Sequence, residues 1–241
     1  MDLDDQLRAK DPARIAGMFD AIASRYDFLN HLLSAGIDRY WRARAIRTLR
    51  LWGGETLLDL CTGTADLAMA AAAPGRAARV VGIDFAGAML DIGHEKVARS
   101  GLSRAVRLVR GDAMALPLAD RSVDAVTIAF GIRNVADPLA ACRDIRRVLR
   151  PGGRLAILEF GLPPGRVVRA FYLWYFRHVL PRIGRLVWRH SSAYTYLPAS
   201  VGSFPPPATF AGLLTTAGFT QVEANPLTFG IVYLYQATVS A

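Results

Sequence analysis

Four short segments, all within the first 134 residues, carry the side chains able to do chemistry. Asp59-Leu-Cys-Thr-Gly-Thr-Ala-Asp66 surrounds one glycine, Gly63. Gly82-Ile-Asp84 ends in a carboxylate about 20 residues further on, the distance at which an acid at the end of a second strand grips ribose hydroxyls. Gly111-Asp112-Ala113 supplies a second carboxylate for an adenine amino group, with the Ala113 N–H facing a ring nitrogen. Ala129-Phe-Gly-Ile-Arg-Asn134 adds a cation, Arg133, and an amide, Asn134. The first loop is not G-x-G-x-x-G: Gly63 alone permits a tight turn but no phosphate cradle. Carboxylates repel a dinucleotide phosphate and suit a ligand bearing a sulfonium and an ammonium. S-adenosylmethionine (SAM) is such a ligand. Asp59, Gly63, Asp84, Asp112 and Ala113 are therefore expected cofactor contacts. Each aspartate alone could equally cap a helix; three at successive strand ends, in order, point to a site.

These segments need a scaffold that brings strand ends together. Ile15, Met18, Phe19 and Ile22 fall at helical spacing, a second helix is expected over 38–50, and Gly53-Gly54 closes this helical region. Strands are expected at 56–60, 79–83, 105–109, 123–129 and 153–160, with helices at 65–73, 87–99 and 137–149 between them. Pro151-Gly152-Gly153 breaks the chain after Leu149-Arg150. Alternation of this kind implies a parallel sheet with helices on both faces. A helix near 207–217 and two strands, 220–225 and 228–238, follow; paired as a hairpin, they make one strand antiparallel to the rest. The expected architecture is α/β: a Rossmann-like sheet, mostly parallel, with a C-terminal antiparallel strand. We read 1–241 as one domain, with 1–52 a helical lid and 163–205 a basic, aromatic insertion.

With 241 residues, 52% hydrophobic and 20% charged, the chain is too apolar for disorder. No apolar run approaches the roughly 20 residues of a membrane span. The acidic start, Met1-Asp-Leu-Asp-Asp, lacks the order of a signal peptide. Cys61 and Cys142 cannot make a disulfide scaffold or a cysteine-rich zinc site, so no metal is expected. These features suggest a cytoplasmic protein. The net charge is +9, yet Lys10 and Lys96 are the only lysines among 29 basic residues. Such arginine and alanine excess is what a GC-rich genome produces. Its distribution says more. No acid lies between Glu159 and Glu223, where Arg166, Arg169, Arg177, Arg182, Arg185 and Arg189 all fall. That excess asks for an anionic partner. Phe171-Tyr-Leu-Trp-Tyr-Phe176 packs five aromatics into six residues. At about 100° per residue, Arg166, Arg169 and Arg177 share one helix face, and Phe171, Trp174 and Val179 turn away from it. Such a helix either lies at an anionic membrane surface or completes the core.

The segments above resemble a class I SAM-dependent methyltransferase. Met18-Phe-Asp-Ala-Ile-Ala-Ser-Arg-Tyr-Asp-Phe-Leu-Asn30, Phe130-Gly-Ile-Arg-Asn134, Tyr194-Thr-Tyr-Leu-Pro-Ala-Ser200 and Leu227-Thr-Phe-Gly-Ile-Val232 narrow the likeness. In that order they resemble the menaquinone/ubiquinone biosynthesis C-methyltransferases along nearly the whole chain. The resemblance implies methylation of a ring carbon of a polyprenyl quinol, most simply demethylmenaquinol to menaquinol, with a benzoquinol as the alternative acceptor. It also implies cofactor contacts at Thr64, Asp84, Asp112 and Ala113. Some relatives carry a serine where Ala129 stands, so one contact differs.

A ring carbon attacks a methyl sulfonium well only beside a phenolate, and phenols have pKa values near 10. A cation within hydrogen-bonding distance lowers that value. Arg133 is the expected cation, although its guanidinium is a poor base. Asn134 is expected to orient a hydroxyl or water, and Tyr26 or Asp27 to relay the proton, with His31 a weaker candidate. Structural roles stand beside these: Arg133 paired with Asp27, and Asn134 capping the next helix. A nucleic-acid methyltransferase would explain the basic charge, but the aromatic block is too apolar for a solvated stacking platform, so no nucleic-acid partner is expected. A non-catalytic binding module would have lost the strand-end carboxylates, and a dehydrogenase wants more glycines. Oligomeric state is left open.

Overall fold

The computed structural model describes residues 12–73, 76–175, 178 and 192–240. Two helices open it, α1 (Pro12–Leu33) and α2 (Asp38–Thr48). Then β1 (Thr56–Leu60), α3 (Asp66–Ala71), β2 (Arg79–Asp84), α4 (Gly87–Arg99) and β3 (Val106–Arg110) alternate. The second half holds β4 (Val123–Ala129), a 3-10 turn (Ile132–Asn134), α5 (Pro138–Val148) and β5 (Leu149–Phe160). After it come α6 (Arg166–Trp174), α7 (Ser192–Ser203), α8 (Pro207–Thr216), β6 (Thr220–Leu227) and β7 (Val232–Thr238).

The sheet order is β3-β2-β1-β4-β5-β7-β6. β3, β2, β1, β4 and β5 pair in parallel, and β7 runs antiparallel to both β5 and β6. One strand is thus reversed, as the C-terminal hairpin requires. Neighbouring residues of each central strand enter opposite cores, the period-2 consequence of the pleat. Leu58, Val126, Ile157 and Tyr235 pack on one side with Ile145 and Phe210. Leu57, Ala125, Ala156 and Leu234 pack on the other with Trp41, Ala45 and Ala68. Chain order reverses between β1 and β4, so the loops leaving them diverge. That switch point is where open α/β sheets hold ligands.

Two boundaries differ from expectation by four residues, the others by no more than two. β5 begins at Leu149, before Pro151-Gly152, because buried Leu149 pairs with Val123 and the Gly152 N–H bonds to the Val239 carbonyl across the sheet edge at 3.0 Å. The last strand starts at Val232, since Thr228–Gly230 forms a 3-10 turn with Phe229 at φ 57°. α1 rests on α4 through Ala16, Ala23, Ala86 and Met89, with Phe19, Ile22 and Ile92 beside them. Asp20 of α1 also accepts from the Ala88 N–H at 2.8 Å, capping the start of α4.

Candidate active site

The loop after β1 is wound tightly by three left-handed residues, Cys61 (φ 54°), Gly63 (φ 54°) and Ala65 (φ 68°). Two of them carry side chains, a strain that persists only where surroundings enforce it. Asp59 supplies much of that enforcement. It is buried, and its two oxygens accept from Thr62 Oγ1 and Thr127 Oγ1, each at 2.7 Å, tying β1, its loop and β4 together. Burial pushes the Asp59 carboxyl up to about 6, against the pull of the two hydroxyls. Asp59 does not line the cavity beside it. Gly131 crosses so close that a Cβ there would sit 2.2 Å from Cys61 Cβ, which only glycine avoids.

Asp84 stands at the end of β2. Its carboxylate accepts from Gly63 N at 2.7 Å and Ala86 N at 2.9 Å. Burial pushes this carboxyl above its usual range, while the N–H groups of Ala86, Gly63 and Phe85 oppose the shift. Past β3, Asp112 accepts from Met114 N at 2.8 Å, and Ala113 is buried next to it. Asp84, Gly63, Asp112 and Ala113 meet around one cavity of about 790 Å³, a volume that includes open solvent. Ile15, Ala16 and Phe19 of α1 form one wall, and Phe130, Gly131 and Asn134 another. Among the described residues that line it, two are acidic and none is basic. SAM fits these acceptors: its ribose hydroxyls and adenine amino group can donate to the two carboxylates, its net positive charge suits an acidic lining, and the rings of Phe19, Phe85 and Phe130 favour a cation. A dinucleotide phosphate meets no cation among the described lining residues.

Thr64 does not line the cavity; its hydroxyl donates to Asp27 Oδ1. Asp27 belongs to a cluster with Lys96, whose ammonium donates to Asp27 Oδ2 at 2.6 Å, to Thr64 Oγ1 at 3.1 Å and to Asp66 Oδ1. The alternative pairing of Asp27 with Arg133 is therefore absent. His31 likewise turns to Asp38, at 2.9 Å. Tyr26 lies on α1, and its side chain is outside the described residues.

Arg133 departs most from expectation. It is buried and does not line the cavity. Nη1 pairs with Glu159 Oε1 at 2.8 Å and donates to the Phe130 carbonyl, Nε donates to Ser200 Oγ at 3.3 Å, and the guanidinium lies 5.5 Å from the Phe160 ring centroid. Glu159 Oε2 also accepts from the Arg133 backbone N–H at 3.2 Å. The side chain turns inward because the 3-10 turn places it against a carboxylate that needs a cation. Asn134 does line the cavity, and the Tyr196 hydroxyl donates to its Oδ1 at 2.8 Å. It does not cap the next helix; Asp137 does, accepting from Leu139 N and Ala140 N. Sequence reasoning missed Glu159, Lys96 and Tyr196. Glu159 had a signal, since it closes β5 just as the aspartates close β1, β2 and β3. Neither thiol offers a nucleophile at neutral pH: burial pushes Cys142 up to about 12 and Cys61 well above its usual value.

On α6, Val167, Phe171 and Trp174 are 83%, 65% and 50% exposed, while Tyr172 turns inward. The apolar stripe therefore does not complete the core. Arg166 and Arg169 are exposed beside it; Arg177, Val179, Arg182, Arg185 and Arg189 lie outside the described residues.

A parallel sheet with one reversed strand, and an acid-lined cavity at its switch point, define a Rossmann-like class I SAM-dependent methyltransferase. A solved SAM-dependent methyltransferase from Aquifex aeolicus shares the fold, with a TM-score of 0.61 and 19% identity over 95% of this chain and 98% of that one. The sequence model of the ubiE/COQ5 methyltransferase family matches residues 7–239, and the chain belongs to that family. It is 39% identical over 229 residues to the demethylmenaquinone methyltransferase of Bacteroides fragilis, covering 95% of this chain and 94% of that one. It is 46% identical over 218 residues to the ubiquinone/menaquinone biosynthesis C-methyltransferase UbiE of Syntrophotalea carbinolica, covering 90% and 91%.

Proposed function

We propose that this chain methylates a ring carbon of a polyprenyl quinol, most simply demethylmenaquinol to menaquinol, with SAM as donor. The observation that carries the reading is the cavity reaching Asn134, lined among the described residues by two acids and no base, in a chain of the ubiE/COQ5 family. SAM, when bound, supplies an electrophilic methyl group on a sulfonium. Asp84 holds the ribose hydroxyls, and Asp112 with the Ala113 N–H holds the adenine. Asp59 and Thr64 act from behind the cavity wall: Asp59 sets the loop carrying Gly63, and Thr64 joins that loop to Asp27. Tyr196 fixes the Asn134 amide, so that its NH2 donates to a quinol oxygen and orients the ring. Arg133 is a positioning residue, holding the Phe130–Asn134 turn through its carbonyl bond and its pairing with Glu159.

The acceptor's prenyl tail lives in a bilayer, and α6 offers a place to meet one. Val167, Phe171 and Trp174 form an exposed apolar stripe flanked by Arg166 and Arg169, the arrangement of a helix lying in an anionic interface. No helix of the described residues is long and apolar enough to cross a membrane. The exposed stripe supports a peripheral contact, proposed on the cytoplasmic face. Incubation with methyl-labelled SAM and separate naphthoquinol and benzoquinol precursors tests the reading. Label in the naphthoquinol supports it, label only in the benzoquinol moves the acceptor, and label in neither refutes quinol methylation.

A further inference from the structure

Lys96 is one of two lysines among 29 basic residues, in a chain that otherwise meets its needs for positive charge with arginine. Its surroundings explain why. The ammonium of this α4 residue sits where α1, the loop between β1 and α3, and the first turn of α3 converge, each contributing one partner. Asp27 Oδ2 comes from α1 at 2.6 Å, Thr64 Oγ1 from the loop at 3.1 Å and Asp66 Oδ1 from the first turn of α3. Three acceptors from three other segments match the three N–H bonds of one ammonium. A planar guanidinium spreads its donors over a wider fork and cannot serve all three from one point. Lys96, Asp27 and Asp66 are 22%, 30% and 22% exposed, so solvent screens the cluster only in part.

The cluster has a mechanical consequence. α1 provides a wall of the cofactor cavity through Ile15, Ala16 and Phe19. It is held to α4 over its N-terminal half and middle by Asp20 on the Ala88 N–H and by Ala16, Ala23 and Met89. Near its other end the Lys96 cluster joins it to both α4 and the loop whose Gly63 N–H is held by Asp84. Loss of that fastening lets α1 lift from the cavity and loosens the loop together with it.

We propose that Lys96 is a positioning residue that clasps α1 to the cofactor loop and so governs how tightly and how long SAM is held. The inference rests on SAM occupying this cavity. Three variants test it: Lys96→Met, which removes the charge at similar length, Lys96→Arg, which keeps it in the wrong shape, and Asp27→Asn, which opens the clasp from the α1 side. Hydrogen exchange is measured on the ligand-free proteins, and SAM affinity and dissociation rate by calorimetry and stopped flow. In Lys96→Met and Asp27→Asn, amides of 12–33 are expected to exchange about tenfold faster while those of β1, β4 and β5 do not change. The Kd for SAM is expected to rise about tenfold in Lys96→Met through faster dissociation, with Lys96→Arg failing to restore it. KM for SAM rises more than kcat falls.

Unchanged exchange over 12–33 overturns the clasp, and so does full rescue by arginine. Exchange that rises equally in the sheet, with a matching fall in Tm, means that Lys96 serves stability alone and also overturns it. Wild-type protein that does not bind SAM refutes the cofactor reading of the cavity; the ligand-free exchange still decides the clasp.

Discussion

Replacing Glu159 by glutamine removes the carboxylate that balances Arg133 while keeping the side chain's size. The two side chains are 0% and 6% exposed, so water does little to offset the loss. Breaking one partner out of a buried pair costs about 3–5 kcal/mol. Glutamine keeps one acceptor oxygen, enough for Arg133 Nη1 and the Phe160 N–H, each 2.8 Å from Glu159 Oε1. Its NH2 then faces the Arg133 backbone N–H in place of Oε2, donor against donor at 3.2 Å. The retained bonds put the cost at the lower end, about 3 kcal/mol. For a chain of this length that is a Tm fall of roughly 6–12 °C. Urea unfolding of wild type, Glu159→Gln, Arg133→Met and the double variant measures the pair directly. The double variant removes both charges, so its loss is expected to fall short of the summed single losses by about 2 kcal/mol. Additive losses, or a Glu159→Gln protein within about 0.5 kcal/mol of wild type, would show that the pair is not what holds the turn.

Three further outcomes follow from the geometry. Asp84→Asn keeps one acceptor but loses charge-assisted bonds worth about 1.5–3 kcal/mol each, so SAM affinity measured by calorimetry is expected to fall at least tenfold; unchanged affinity would remove Asp84 from the cofactor site. Asp59 has a folded pKa of about 6, above the unfolded 3.8, so its stabilising contribution is complete below the unfolded value and is lost as pH rises through 6. Wild-type stability should therefore drop by about 1–1.5 kcal/mol more between pH 5 and pH 7.5 than that of Asp59→Asn, and parallel pH profiles in urea unfolding would contradict this. On anionic vesicles, Arg166→Gln with Arg169→Gln should weaken low-salt binding about fivefold per arginine, and Phe171→Ser with Trp174→Ser should remove the part that survives high salt. Wild-type behaviour in both pairs would leave α6 without a membrane role.

The alternation of apolar runs with helical spacing was enough to predict the sheet and the order of its strands in the chain. A buried parallel strand such as 56–60 is apolar apart from Thr56 and Asp59, and a hairpin must reverse one of its two strands. The strand-end carboxylates were readable for the same reason: once β2 and β3 are placed, Asp84 and Asp112 have only one end to occupy, and both line the cavity. Boundaries set by long-range pairing were not readable. Leu149 is a strand residue because Val123 lies opposite it, which local propensity does not record.

Side-chain partners at long separation also needed the folded chain. Asp59 read as a ligand contact because a carboxylate at a strand end looks the same whether it faces a cavity or two threonines; Thr127, 68 residues away, decided which. Arg133 and Asn134 are neighbours in one motif, yet a 3-10 turn sends one to Glu159 and the other to the cavity. Lys96 stands out in the sequence only as one of two lysines; nothing in Glu95-Lys96-Val97 announces that Asp27, Thr64 and Asp66 will surround it. Period and polarity, which settle secondary structure, are local properties of the chain. The choice of partner for a buried charge is made by desolvation, which acts only after distant segments have closed around it.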